Sequence, residues 1–140
     1  MDKLNSILVA VNLFLATLTT VACVSPPPSA AKAGAALYQT SCAGCHGAEA
    51  EGNGPVASVI GARPPDLTRI AARRGGTFPE LEVFRIIDGQ ADLSAHGPRH
   101  MPVWGYEFFG TDADDEVAHR QAEDKVDSLV KYLRSIQRAD

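Results

Sequence analysis

This sequence has fewer positively charged residues than negatively charged ones. Its 140 residues include 13 lysines and arginines against 17 aspartates and glutamates, so the formal net charge is -4, and the only adjacent basic pair is Arg73 and Arg74. A nucleic-acid-binding surface needs clustered cations to replace the counterions of the phosphates. We therefore expect no nucleic-acid partner. A hydrophobic fraction of 45% is also too high for a disordered chain.

Cysteine and aromatic residues are scarce as well. Three cysteines, two of them three positions apart, do not make a disulfide framework. Five Phe, three Tyr and one Trp predict a thin protein core. The sequence shows neither the alternation of apolar and polar residues that is typical of strands nor any internal repeat, so we predict one small all-α domain. Loops as long and as rich in Gly and Pro as 47–65 and 89–102 need an explanation, and a large apolar cofactor that completes the core would supply one.

Four helices are predicted from hydrophobic spacing and capping signals. They cover Ala30–Thr40, Asp66–Arg74, Leu81–Asp88 and a last segment that begins at Asp112. Thr77 and Glu80 form a capping box before the third helix, and Gly89 ends it. The core face of the last helix is predicted from residues at helical spacing, which are Val126, Leu129, Val130, Leu133 and Ile136.

The only long apolar run lies near the N terminus. Residues 4–24 carry no charge, follow Lys3 and precede a proline-rich stretch. This is the shape of an export signal, and its apolar centre from Ile7 to Leu18 is shorter than the roughly 20 residues that span a bilayer. We therefore predict a cleaved signal peptide over residues 1–22 and a mature chain on the periplasmic side of a bacterial membrane.

Cys23 stands where this signal would end, after Thr20, Val21 and Ala22. Small residues before such a cysteine resemble a bacterial lipobox, although Thr20 occupies a position where leucine is usual. We predict that Cys23 is a lipid-anchored N-terminal residue and that residues 23–31 form the anchor and a spacer. Two alternatives stay open, namely an incidental thiol in a discarded signal and an uncleaved N-terminal anchor.

The chemistry is carried by the run Cys-Ala-Gly-Cys-His at positions 42–46, which is the C-x-x-C-H signature of c-type haem attachment. Two thiols on one turn can add to neighbouring vinyl groups, and the adjoining histidine then lies under the iron. Cys42 and Cys45 are thus predicted thioether residues and His46 a predicted iron ligand. A redox C-x-x-C motif normally belongs to a βαβ unit, which the predicted elements do not include. A zinc site would need His96 or His100 as a further ligand.

With this motif the chain resembles the class I c-type cytochromes in their monohaem bacterial form. The resemblance covers about residues 33–136. It implies a cytochrome c domain at 32–140, in which helices and long loops surround one covalently bound haem c. In this family a helix with a glycine and an aromatic residue precedes the motif, as Gly34 and Tyr38 do here.

The family also implies the second iron ligand, a methionine before a proline. Met101 precedes Pro102 and is the only methionine besides the first residue. His100 and the more distant His96 are the alternatives, since imidazole also binds ferric iron.

The resemblance further implies groups around the haem. A proline carbonyl often accepts the other ring N–H of the axial histidine, and Pro55 fits that pattern, with Pro64 and Pro65 as competitors. Trp104 and Tyr38 are expected to pack on or near the haem, and Arg63 and Arg99 are the loop cations available to its propionates.

When protein ligands fill both axial positions, the haem iron has no open site, which indicates a single-electron carrier rather than an enzyme. The sequence therefore predicts a tethered, periplasm-facing carrier or a cytochrome subunit of a respiratory oxidoreductase, with redox proteins as partners. The alternative is a haem sensor or enzyme whose sixth position is open or held by histidine.

Overall fold

The computed structural model of the protein describes residues 29–61, 63–91, 101–110 and 115–139. In these ranges the chain forms helices α1 (Ala30–Ser41), α2 (Ala43–His46), α3 (Pro55–Val59), α4 (Glu80–Asp88), α5 (Trp104–Phe109) and α6 (Glu116–Ser135), with 3₁₀ turns at Leu67–Arg69 and Ala72–Arg74. No strand occurs among the described residues, and the predicted all-α class is confirmed. The predictions on Cys23, His96, Arg99, His100 and the export signal fall outside these ranges. None of the helices described is long and apolar enough to cross a membrane.

Helices α1 and α6 pack closely at a point where α1 has no side chain. A Cβ atom on Gly34 would clash with the carbonyl oxygen of Ser128 and would lie 3.0 Å from the Cβ of Tyr132. One turn later the fully buried Tyr38 packs on Tyr132, with ring centroids 5.2 Å apart. The glycine permits the close approach, and the two rings fill the space beside it.

The core lies between α1, α4 and α6. Helix α6 begins after Asp115, whose carboxylate accepts a 2.8 Å hydrogen bond from the N–H of Val117. Ile136, the last residue of the predicted core face, is half-buried. The other members of that face are fully buried as predicted: Val126, Leu129, Val130 and Leu133.

The predicted capping box before α4 is wrong. The helix begins after Pro79, and no side chain caps it. A proline disfavours the helical conformation of the residue before it. Phe78 would have to be helical for Thr77 to cap the helix, so the start moves forward to Glu80. Gly89 ends the helix in the left-handed conformation, as predicted.

The predicted helix over Asp66–Arg74 is instead two 3₁₀ turns, and the side chain of Gln137 interrupts it. In an α-helix the N–H of Ala71 would bond to the carbonyl of Leu67. Here the N–H donates to Oε1 of Gln137, and Nε2 of Gln137 donates to that carbonyl, both at 2.8 Å. A side chain inserted into a helical ladder in this way breaks it. The predicted cap is confirmed, because Asp66 accepts from the N–H of Thr68 at 2.8 Å.

Besides the four-residue helix α2 at the motif, two short helices lie where the sequence predicted none. Helix α3 starts with Gly54 as its cap and Pro55 in its first position, where the missing N–H of proline costs nothing. Helix α5 has six residues. Neither is long enough to show a hydrophobic period, so their positions could not be predicted from spacing.

Candidate functional site

The Cys-Ala-Gly-Cys-His run forms one tight turn directly after α1. The N–H of Cys42 closes α1 through a 2.8 Å bond to the carbonyl of Tyr38. The Cys42 carbonyl then accepts from the N–H groups of Cys45 and His46, at 3.1 and 2.9 Å. Both thiols are free. The three residues predicted to bind haem are therefore brought together on a single turn.

The loop after this turn folds back against it. The N–H of Gly52 donates to the His46 carbonyl at 2.8 Å, and that of Gly54 donates to the Cys45 carbonyl at 3.1 Å. A Cβ atom on Gly54 would lie 2.5 Å from the Cys45 carbonyl oxygen, so only glycine fits so close to the turn. Backbone hydrogen bonds thus hold the loop against the Cys-Ala-Gly-Cys-His turn.

The surroundings of the first thiol are apolar. Cys42 is half-buried and packs against the hydrophobic core. Burial, with the nearby Cys45 as the smaller cause, raises the pKa of the Cys42 thiol to about 12. The thiol is therefore protonated at neutral pH, and its environment suits an apolar partner better than an ionic one.

His46 has the protonation state that a metal ligand needs. Burial lowers the pKa of its imidazole, and the smaller effect of the nearby Pro65 carbonyl raises it. The ring is thus neutral at neutral pH, and neutral imidazole is the form that binds metals. Its Nδ1 atom is buried and has no hydrogen-bond partner among the residues that the structure describes. The Pro65 carbonyl lies near enough to influence the pKa of the ring but makes no hydrogen bond of ordinary geometry with Nδ1.

Met101 and Trp104 belong to a segment that packs against the end of α4. Both side chains are half-buried and contact the same core cluster that Cys42 contacts. Val103 fills the space in front of Gly89, where a Cβ atom would clash with it. The ring of Trp104 packs on that of Phe108, with centroids 5.3 Å apart. Contacts with the end of α4 and within α5 therefore hold the segment around Met101 in place.

The structure distinguishes among the three prolines considered as partners of His46. The carbonyl of Pro55 accepts from the Ser58 hydroxyl at 2.8 Å, within α3. The carbonyl that acts on the imidazole is that of Pro65, one of the two predicted competitors. The family resemblance favoured Pro55 because it stands in a Gly-Pro after the motif, whereas Pro65 comes near the ring only through the fold. Arg63 is exposed, consistent with a surface cation.

These residues fit a haem. A neutral, half-buried imidazole, whose Nδ1 has no hydrogen-bond partner in the described part of the chain, lies on the same turn as two free thiols, one of them in apolar surroundings. Among the residues that the structure describes, no group of three or more His, Cys, Asp or Glu is arranged to hold a metal ion. The haem-binding turn, residues 42–46, itself offers one imidazole for the iron and two thiols for covalent attachment, which is what a c-type haem requires of the protein at this motif.

Comparison with known proteins identifies the family. A family model described as Cytochrome c matches residues 31–137. No curated protein and no solved structure matches the chain. The match spans most of the sequence and includes the whole Cys-Ala-Gly-Cys-His turn, the Met101 segment and α6. The chain therefore belongs to the cytochrome c family, which carries covalently attached haem c and transfers electrons through it.

Proposed function

We propose that this protein is a single-electron carrier in which Cys42 and Cys45 hold the haem and His46 and Met101 ligate its iron. The observation that carries the proposal is the neutral, half-buried imidazole of His46 on the same turn as two free thiols. The haem supplies the iron that is reversibly oxidised and reduced. The residues of the chain attach it, orient it and exclude water from it.

Attachment uses the two thiols without any oxidant. Each S–H, that of Cys42 and that of Cys45, would add across one vinyl group of the haem, so that a C–S bond would form and the thiol hydrogen would end on the vinyl group's other carbon. The turn supports this reaction because it presents Cys42 and Cys45 three residues apart, with their backbone fixed by hydrogen bonds to the Cys42 carbonyl.

Met101 is the proposed second ligand. It is the only methionine of the chain after residue 1, and its segment is anchored on α4 through Val103 and Gly89. A thioether ligand favours ferrous iron and raises the reduction potential. With two protein ligands the iron has no open position, which supports a carrier over a haem enzyme or sensor.

We further propose that the carrier is tethered on the periplasmic side of the membrane through Cys23. Six residues, 24–29, separate Cys23 from the first residue of α1. Because an extended chain spans at most ~3.6 Å per residue, the tether reaches no more than about 25 Å. The haem domain would stay near the membrane, where a respiratory oxidoreductase or another redox protein is the partner.

The experiment compares wild type with Met101→Ala and the control variant Leu81→Ala, whose side chain is 61% exposed on α4. The intact mass after denaturation should show one haem on each protein. We expect Met101→Ala alone to lose the weak far-red band of an iron–sulfur bond, to shift to lower potential and to bind carbon monoxide in the ferrous state. Wild type without the band and with low potential would assign the ligand to His100 or His96. Rapid carbon monoxide binding by wild type would favour a sensor or enzyme.

A further inference from the structure

Gly52 is unusual among the glycines of the loop because it contacts two separate segments. Its N–H donates to the His46 carbonyl at 2.8 Å. A Cβ atom at Gly52 would clash with the carbonyl oxygen of Pro64 and would lie 3.3 Å from the carbonyl carbon of Pro65. The residue is thus in contact with the haem-binding turn on one side and with the two prolines on the other.

The absent side chain determines how closely these segments approach. The backbone of Gly52 has φ +81°, which suits glycine, but several glycines of the chain share that property. What distinguishes Gly52 is the clash of any side chain with the Pro64–Pro65 backbone. A residue with a Cβ atom would push the prolines away from the turn, because close-packed backbone cannot yield without moving.

We propose that Gly52 is a positioning residue for the His46 ligand: its missing side chain lets Pro64 and Pro65 pack against the haem-binding turn, and this packing sets the Pro65 carbonyl beside the imidazole. The inference rests on the proposed ligation of iron by His46. A hydrogen-bond acceptor on the far nitrogen of such a ligand fixes the ring orientation and raises its basicity. Gly52 therefore acts on the iron through Pro65 and touches neither the iron nor the haem in this role.

The experiment uses the holoprotein in its ferrous state and the pair Gly52→Ala and Gly61→Ala. Gly61 also has a left-handed backbone, with φ +69°, but a Cβ atom there would meet nothing within 4 Å. The two variants therefore share the backbone strain and differ in the contact with Pro64. The readouts are the reduction potential and the solvent-exchange rate of the His46 ring N–H, measured by NMR relative to the amide of the buried Leu129.

Because the Pro65 carbonyl is the proposed acceptor of the ring N–H in the holoprotein, we expect Gly52→Ala to accelerate the exchange of that N–H relative to Leu129 by about tenfold, the factor that corresponds to losing one hydrogen bond. Its potential should rise, because a weaker acceptor leaves the imidazole a poorer electron donor. Gly61→Ala should match wild type in both. Equal exchange ratios and equal potentials in the two variants would overturn the proposal.

Two further controls keep the outcomes distinct. If wild-type holoprotein shows no ring-current-shifted His46 protons, His46 is not a ligand, and the proposed function fails rather than the role of Gly52. If Gly52→Ala yields no holoprotein, Pro65→Ala tests the same segment, because it keeps the carbonyl and removes the fixed backbone angle. A Pro65→Ala protein with wild-type exchange and potential would then overturn the proposal.

Discussion

The hydroxyl of Tyr38 donates a 2.8 Å hydrogen bond to the carbonyl of Gly47, the residue that follows His46. This bond joins the last turn of α1 to the end of the haem-binding turn, and its tyrosine is fully buried against α6. One side chain therefore couples the packing of the two long helices to the position of the proposed ligand.

Tyr38→Phe should lower the free energy of unfolding by about 1 kcal/mol, because the buried Gly47 carbonyl loses one of its two donors and keeps the N–H of Ala50. Denaturant unfolding of the holoprotein measures this. Tyr106→Phe is the matched control, since Tyr106 is 71% exposed and should change stability little. Equal stability of the two variants would contradict the coupling that we describe.

Tyr38 also predicts a loss of stability at alkaline pH. Burial is the main cause that raises the pKa of its hydroxyl above the ordinary value. In the unfolded chain a tyrosine ionises near pH ~10, while folded Tyr38 keeps its proton, so stability should fall as pH rises above that value. Tyr38→Phe should flatten this part of the pH profile, whereas Tyr106→Phe should leave its slope as in wild type.

Gln137→Ala should destabilise the holoprotein by about 2 kcal/mol, because its amide makes three hydrogen bonds to backbone groups of two separate segments. Gln39→Ala is the control, since Gln39 is exposed and makes a single bond to the Ala48 carbonyl. Chemical denaturation compares the two variants. A loss for Gln137→Ala no greater than that for Gln39→Ala would show that the amide does not hold the C-terminal segment in place.

Asp66→Asn should weaken the dependence of stability on acid pH. The hydrogen bond from the Thr68 hydroxyl is the first cause that lowers the pKa of Asp66, and the N–H of Thr68 and nearby Arg138 and Arg69 act in the same direction. A carboxylate with a lowered pKa contributes stability above its unfolded value, near ~4, and loses it as pH falls through the folded value. Unfolding from pH 7 to pH 3 should therefore be less pH-dependent in the variant. Glu123→Gln, which removes an exposed charge, should keep the wild-type slope.

Cys23→Ser should move the protein from the membrane to the soluble fraction or leave it as a precursor, because the variant has no thiol to acylate. Fractionation and intact mass measure this, with Ser25→Ala as a control in the same stretch. Unchanged membrane retention and unchanged mass in Cys23→Ser would instead indicate an uncleaved N-terminal anchor. A single acyl chain binds membranes only marginally, so the intact mass of the wild-type protein should show more than one acyl chain.

Predictions that depend on local chemistry agree with the structure. The first helix, the core face of α6, the Asp66 cap and the glycine that ends α4 all follow from residues within a few positions of one another. The Cys-Ala-Gly-Cys-His turn is local as well, because its geometry needs only consecutive residues. The capping box failed at short range too, since the effect of Pro79 on Phe78 outweighed the preference of Thr77 for a helix start.

The sequence by itself determined the helical class, the haem-binding motif and the buried face of the last helix, since each depends on spacing along the chain. Only the tertiary structure decided which proline carbonyl acts on His46, and why the segment at Asp66–Arg74 is not one helix. Pro65 lies 19 residues from His46, and Gln137 lies 66 residues from Ala71. Contacts at such separations arise when distant segments pack together, and no propensity or period in the chain encodes which backbone groups will then meet.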